Sequence, residues 1–445
     1  MSDRAVYGTF PDDWTCTSLD AIASAVTSGG TPRSGDPRYY DPHSGYPFAK
    51  IEDLTRSDGH QLEDAELRVT AAALRESAAK LYPVGTILLS MYGTIGLAKQ
   101  CAAEMAGNQA LSALLPPFQC DPQYLLHHLD YVRDHWLRYS GQTTQANING
   151  RAVKTHLVPL PPGREQRQIA HILDTLDTQI RRTEELIGKL EQIKQGLLTD
   201  LLTRGIDENG QLRPPPDQAP HLYKDSPLGF VPERWRVVPL EELATSSVIG
   251  PFGSDLVADD YRAEGVPVVF VRDAKVSGFQ WNSDVYITPQ KAIALKAHEV
   301  RHGDVILTKM GLPPCVACVY PNWMPRGVVT ADIIRIRVDA ERAQPQWVAE
   351  QANAEQVRRQ VAAITGGVTR PKVTLRDVRN LVLALPDVEE QNRILVVVGQ
   401  SNARLGAERR QLQGLLNLKA GLMNDLLTGR VRVTPLLDKA EQAAS

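Results

Sequence analysis

The chain has 445 residues, of which 42% are hydrophobic and 23% charged, with 49 basic against 52 acidic side chains and five cysteines. That length exceeds what one core grows to fill, so two or more domains are expected, and the net charge of -3 excludes a generic polyanion binder, leaving nucleic-acid contacts to local clusters. The odd cysteine count argues against a disulfide framework. No run of about 18 apolar residues marks a membrane span, and the opening MSDRAVYGTFPDDW lacks a signal-peptide layout, so a cytoplasmic protein is expected.

Residues 1–160 read as a first globular unit. Pro11 and Trp14 open it in a Pro-x-x-Trp element, followed by the helix-like SLDAIASAV and a turn-rich stretch holding GGTPRSGDP. Runs at YPFAKI, TILLSMYG and LSALLPP predict strands, and QYLLHHLDYVRDHWLRYS predicts a helix over residues 123–140, a mixed α/β pattern rather than an all-β one. His127 and His128 on that helix read as surface and groove residues rather than ligands.

Residues 161–206 predict one long helix. Ile169, Leu176, Thr183, Leu190 and Leu197 fall at a, and Leu173, Ile180, Ile187, Lys194 and Leu201 at d, a coiled-coil seam with two polar interruptions. About 40 residues at ~1.5 Å rise make a rod of roughly 60 Å. Residues 207–231, rich in proline and turn formers, read as a linker or extended strap.

The pattern then starts again, and residues 232–384 read as a second globular unit. Pro232 and Trp235 reproduce Pro11 and Trp14; Gly265, Pro267 and Asp273 reproduce Gly45, Pro47 and Asp53; HGDVILTKMG parallels VGTILLSMYG. Cys315 and Cys318 form a lone C-x-x-C in PPCVACVY, which reads as a buried strand because no second ligand pair completes a zinc site.

Residues 385–431 repeat the long helix without a gap. Glu165 and Gln166 meet Glu390 and Gln391 at an offset of 225, and GLLTDLLT meets GLMNDLLT. The second seam has Ile394, Ser401, Glu408, Leu415 and Leu422 at a, and Val398, Leu405, Leu412, Lys419 and Leu426 at d. Gly399, Gly406 and Gly414 each cost up to ~1 kcal/mol of helix propensity, so this helix is expected to depend on packing against the first. Within the globular parts the offset drifts from 221 to 218 before reaching 225, so two copies have diverged in their globes while their helices kept length. Residues 432–445 form a tail.

The most informative charge lies just before each helix. Residues 131–156 carry Arg133, Arg138, Arg151 and Lys154 against Asp134, and residues 356–381 carry Arg358, Arg359, Arg370, Lys372, Arg376 and Arg379 against Asp377. Each window holds a glycine-led polar loop, GQTTQANING or GGVTRPKVT, whose hydroxyls, amides and cations suit phosphates and base edges. Candidate DNA contacts are Thr31, Arg33, Tyr92, Gln142, Thr144, Asn147, Asn149 and Lys154 in the first unit, and Phe252, Ser254, Lys309, Thr369, Arg370 and Lys372 in the second. No G-x-x-x-x-G-K-[ST], H-E-x-x-H or Asn/Asp-Pro-Pro-aromatic motif appears, so no catalytic or metal-binding residue is assigned.

LPPGREQRQIAHIL and LPDVEEQNRIL at the helix starts, GLLTDLLTRGI and GLMNDLLTGRVRV at their ends, and the connector RPPPDQAPHLYKDSPLGFVPERW resemble the specificity subunits of Type I restriction-modification systems. The resemblance covers almost the whole chain. It implies a mixed α/β (α+β) protein with two target recognition domains separated by two long helices, paired as an antiparallel coiled coil with a pseudo-twofold repeat. Each domain would read half of a split double-stranded DNA target. The helices would set the gap and dock two methyltransferase (modification) subunits, joined by a restriction subunit that translocates DNA. No cofactor is implied in this chain; S-adenosylmethionine, ATP and Mg2+ belong to the partners. A recognition and methyltransfer fusion is disfavoured by the missing motifs. A stand-alone bivalent DNA-binding scaffold shares the layout and differs in not copurifying with a methyltransferase.

Overall fold

The computed structural model describes residues 10–139, 147–366 and 371–444. They form two compact units, residues 1–186 with 408–445, and residues 187–407. The long helices run Gly163–Thr203 and Val388–Leu426, so each contributes its start to one unit and its end to the other.

The first unit holds a five-stranded sheet in the order Ala25–Ser28, Leu111–Leu115, Ile87–Ser90, Ala98–Cys101, Gln61–Leu62. A four-stranded sheet follows the order Leu67–Val69, Tyr46–Ala49, Met105–Gly107, Lys80–Tyr82. Ile87–Ser90 is buried along its whole length, as a central strand covered on both faces must be. Thr15–Ser18 pairs with Leu157–Leu160, which brings the start of the domain beside the start of the first long helix.

The helix Pro122–Tyr131 begins where sequence rules place it. Pro122 takes the first turn and the Asp121 carboxylate accepts from the Gln123 and Tyr124 amides. Beyond Val132 the chain tightens into the 3-10 turn Arg133–Tyr139 instead of continuing as α-helix. Similarly, SLDAIASAV is helical only over Leu19–Ile22, and its β-branched end enters the strand Ala25–Ser28. The reading of His127 and His128 as surface residues is overturned, because both are fully buried. A carboxylate from the long helix makes this tolerable for His127, with Asp174 Oδ1 2.8 Å from Nε2.

The second unit repeats the plan. One sheet runs Ala244–Ile249, Ile333–Val338, Val305–Thr308, Ala317–Val319, and another Tyr286–Ile287, Val266–Val269, Gly327–Val329, Glu299–Val300. The parallel pair Tyr46–Ala49 with Met105–Gly107 recurs as Val266–Val269 with Gly327–Val329. Core hydrogen bonds recur too. Tyr124 Oη donates to the Pro159 carbonyl at 2.7 Å, and Trp347 Nε1 to the Ala384 carbonyl at 3.0 Å. Gln166 and Gln391, from the repeated Glu-Gln pair, each accept a backbone amide at 2.8 Å, from Asp121 and Gln344. Cys315 and Cys318 are buried free thiols, their pKa values pushed up to about 12 by desolvation; Cys318 lies in the strand Ala317–Val319 as the strand reading expects, whereas Cys315 precedes it in a left-handed backbone conformation, φ 58°.

No seam position of either helix is exposed. In the first unit Ile169 and Leu173 share a core with Met423, Leu426 and Leu427; in the second, Ile394 and Val398 share one with Leu201 and Leu202. In each unit the start of one helix therefore packs on the end of the other, which makes the pair antiparallel. Thr183 is buried at its seam position and donates its hydroxyl to the Gln179 carbonyl at 2.9 Å. The second helix is unbroken through Gly399 and Gly414, where an added Cβ would meet nothing within 4 Å. Among the described residues no helix is long and apolar enough to cross a membrane.

Candidate nucleic-acid interface

The same loops meet in each unit through backbone contacts. After Ala25–Ser28 the chain passes Gly29, where a Cβ would stand 2.1 Å from the Gly107 carbonyl oxygen. Gly250 is its counterpart, with a Cβ 2.2 Å from the Thr330 carbonyl oxygen, so both positions require glycine because another backbone crosses there. After Ile87–Ser90, the Met91 amide donates to the Ala110 carbonyl at 2.9 Å, the Ile148 amide donates to the Met91 carbonyl at 3.0 Å, and Tyr92 forms a bridge with Asn147. After Val305–Thr308, the Lys309 amide donates to Asp332 at 2.7 Å, the Val373 amide donates to the Lys309 carbonyl at 3.1 Å, and Met310 forms a bridge with Lys372.

The side chains on this shared framework differ. In the first unit Thr31 is exposed and donates to Gln109 Oε1 at 2.7 Å, Arg33 is exposed, and Tyr92 is 41% exposed beside Asn147. In the second, Phe252 is 58% exposed with Lys309 Nζ 4.9 Å from its ring centroid, a cation over an aromatic face. Lys372 is exposed nearby in chain contact with Met310. Hydroxyls and amides dominate the first surface, and lysines with an aromatic ring the second. Next to the second surface lies a cavity of about 760 Å³ lined by Phe270, Arg272, Thr308, Met310, Leu312 and Asp332.

Two of the candidates have other partners. Asn149 caps the helix Gly150–Thr155, its Oδ1 accepting from the Ala152 amide at 2.9 Å. Lys154 Nζ lies 3.3 Å from Asp20 Oδ1. Gln142, Thr144, Thr369 and Arg370 lie outside the described residues, as does the side chain of Ser254. Part of the second basic window is internal: Arg358 donates to the Pro314 carbonyl at 2.6 Å and Arg379 Nε to Ser247 Oγ at 2.7 Å. Gln109, Met310 and Arg272 were not singled out from sequence. Met310 could have been, because it stands opposite Tyr92 in the repeat at an offset of 218.

Residues 11–192 match the family described as the Type I restriction modification DNA specificity domain. The chain is 25% identical over 441 residues to the provisionally named type I restriction enzyme MjaX specificity subunit of Methanocaldococcus jannaschii, covering 97% of this chain and 96% of the relative. It is 20% identical to the Escherichia coli type I restriction enzyme EcoBI specificity subunit, over 98% of this chain and 93% of the relative. Among solved structures, the fold is similar to a chain from work on complex assembly and conformational transition of the type I R-M system, with a TM-score of 0.56 at 16% identity, covering 95% and 100% of the two chains. It is also similar to the Type-I restriction-modification S subunit from M. genitalium, with a TM-score of 0.55 at 14% identity and coverage of 94% and 96%. The internal repeat, the two antiparallel long helices and these near full-length matches agree: residues 11–192 match the Type I restriction modification DNA specificity domain, and nearly the whole chain is similar to specificity subunits of type I restriction enzymes.

Proposed function

We propose that each unit reads one half of a split double-stranded DNA target through its loop cluster, while the helix pair fixes the unread gap. The observation that carries this is the common backbone framework bearing unlike side chains: Tyr92 and Asn147 in one unit stand where Met310 and Lys372 stand in the other. A shared framework gives both units the same approach to the duplex, and unlike side chains give them different base preferences. Two linked readers bind as one bivalent ligand, so each half-site contact raises the effective concentration of the other.

The repeat also offers two equivalent faces to two identical methyltransferase subunits, with a restriction subunit completing the complex. S-adenosylmethionine, ATP and Mg2+ then act on those partners, and this chain contributes recognition without catalysis.

Replacing residues 1–155 with the matching region of a relative, in cells that also express the modification subunit, tests the reading through methylome sequencing. The expected result is a split motif in which one half changes and the other is kept. A change in both halves, or an unchanged motif, would refute independent reading.

A further inference from the structure

A polar cluster in the first unit takes no part in the reading just proposed. His127 is fully buried on the helix Pro122–Tyr131, and His60, 13% exposed, precedes the strand Gln61–Leu62. Their rings stand edge to face with centroids 4.7 Å apart. One nitrogen of each ring and one oxygen of Asp174, on the first long helix, lie within 4.8 Å of one another. Each ring also has a carboxylate beside it: Asp130 Oδ2 is 2.7 Å from His60 Nε2, and Asp177 Oδ2 is 3.9 Å from His127 Nδ1. That Nδ1 is buried and has no hydrogen-bond partner.

We propose that His60, His127 and Asp174 form a zinc site that fastens the first recognition domain to the start of the first long helix. Two imidazoles and a carboxylate, with further carboxylates at the rings, are the ligand set and the orienting partners that zinc selects. Lys419, 2.5 Å from Asp177, pairs with that carboxylate and leaves Asp130 and Asp174 as the carboxylates closest to the two rings. Lys99 and Arg133 line the adjoining cavity of about 370 Å³ together with His60 and Asp130, and they oppose an ion held by charge alone. Imidazole donors therefore favour zinc over magnesium or calcium. Tetrahedral bonds of 2.0–2.2 Å place ligand atoms about 3.3 Å apart, so binding would draw the three side chains together by rotamer adjustment of order 1 Å, and the open cavity leaves a route for the ion.

The second copy supplies a contrast. At the positions equivalent to His127, Asp174 and Asp177 it has Glu350, Gly399 and Asn402, so the site belongs to the first domain alone.

The test is metal content and stability of the full-length chain, and it does not depend on DNA binding. After incubation with zinc chloride and dialysis, the wild-type chain is expected to hold one zinc by mass spectrometry, to show visible d–d bands with cobalt, and to melt higher with zinc than with chelator. His60→Ala and Asp174→Asn, at partly exposed positions, should weaken zinc binding by at least about 10-fold. His43→Ala, in an exposed loop, should leave it unchanged. Circular dichroism of each variant confirms folding. Zinc below one per ten wild-type chains, or full zinc retained by the His60→Ala, Asp174→Asn double variant, would overturn the proposal.

Discussion

The two units close on the long helices with the same residue and different partners. Glu390, at the start of the second helix, accepts from the Ile206 amide at 3.0 Å, from Arg213 at 2.5 and 3.0 Å, and from the Trp235 indole at 3.1 Å. Glu165, its counterpart at the start of the first helix, accepts from Arg432 Nε at 3.0 Å and from Thr434 Oγ1 at 3.2 Å, while the Trp14 indole nitrogen is buried without a hydrogen-bond partner. In each case the arginine comes from just past the end of the other helix. A carboxylate aimed at the segment that ends its neighbour thus closes both units, once with a fully satisfied network and once with a looser one shared with Asp13. The requirement kept between copies is a paired buried charge, and the number of its partners has drifted.

Breaking these locks is the strongest way to probe the comparison. Glu390→Gln leaves Arg213, only 15% exposed, without its counter-charge, and should cost about 3–5 kcal/mol. Glu165→Gln leaves Arg432, 29% exposed, still paired with Asp13, and should cost less, about 1.5–3 kcal/mol. Urea unfolding of both variants, followed by hydrogen exchange resolved by unit, measures the difference. Equal losses would mean that the extra partners of Glu390 contribute nothing.

The two loop surfaces allow a second comparison of smaller effect. Met91 and Asn147 occupy in the first unit the positions of Lys309 and Lys372 in the second. Lys309→Met and Lys372→Asn therefore make the second surface resemble the first. Each is expected to lower the salt slope of DNA binding by about 1 if the lysine meets a phosphate, or to relax one base position at ~1–3 kcal/mol if it meets a base edge. Titrations at several salt concentrations on cognate and singly altered duplexes separate these. A variant that moves neither quantity takes its lysine out of the interface.

Much of the architecture was legible because helix period and turn chemistry act locally. No seam residue of either helix is exposed, and the Pro-x-x-Trp elements form matching turns, with the Trp14 and Trp235 amides donating to Pro11 and Pro232. What stayed hidden depends on distant neighbours. His127 and His128 look like exposed helix positions until the helix is covered on more than one side, its Tyr124, Leu125, Leu126 and Leu129 also being buried. Arg358 and Arg379 fall in a basic window that the sequence reading tied to DNA contacts, yet their guanidinium groups donate to the Pro314 carbonyl and to Ser247, far away in sequence. Changing offsets blurred the correspondence of these loops, because the backbone contacts that align Tyr92 with Met310 and Asn147 with Lys372 join segments that lie at offsets of 218 and 225.

The smallest expected effect concerns Asn149, a polar loop residue that suits either DNA or its own backbone. Its counterpart Thr374 caps the helix Leu375–Arg379, Oγ1 accepting from the Asp377 amide at 3.1 Å, as Asn149 accepts from Ala152. Short polar side chains at such positions satisfy an amide that the helix leaves open, and losing one costs about 1 kcal/mol. Thr374 also takes part in a reciprocal box, since Asp377 Oδ2 accepts from the Thr374 amide at 2.8 Å. Thr374→Ala should therefore cost slightly more than Asn149→Ala. The discriminating variant is Asn149→Asp, which keeps the accepting oxygen and removes the amide donor. If Asn149 only caps, the aspartate restores the stability lost in Asn149→Ala and leaves the methylated motif intact. If its amide reads DNA, stability returns while the first half-site loses a base preference or the complex loses affinity, because a carboxylate now faces a polyanion. Thermal melting and methylome sequencing of the two variants at position 149 decide between backbone and DNA as the partner of this side chain.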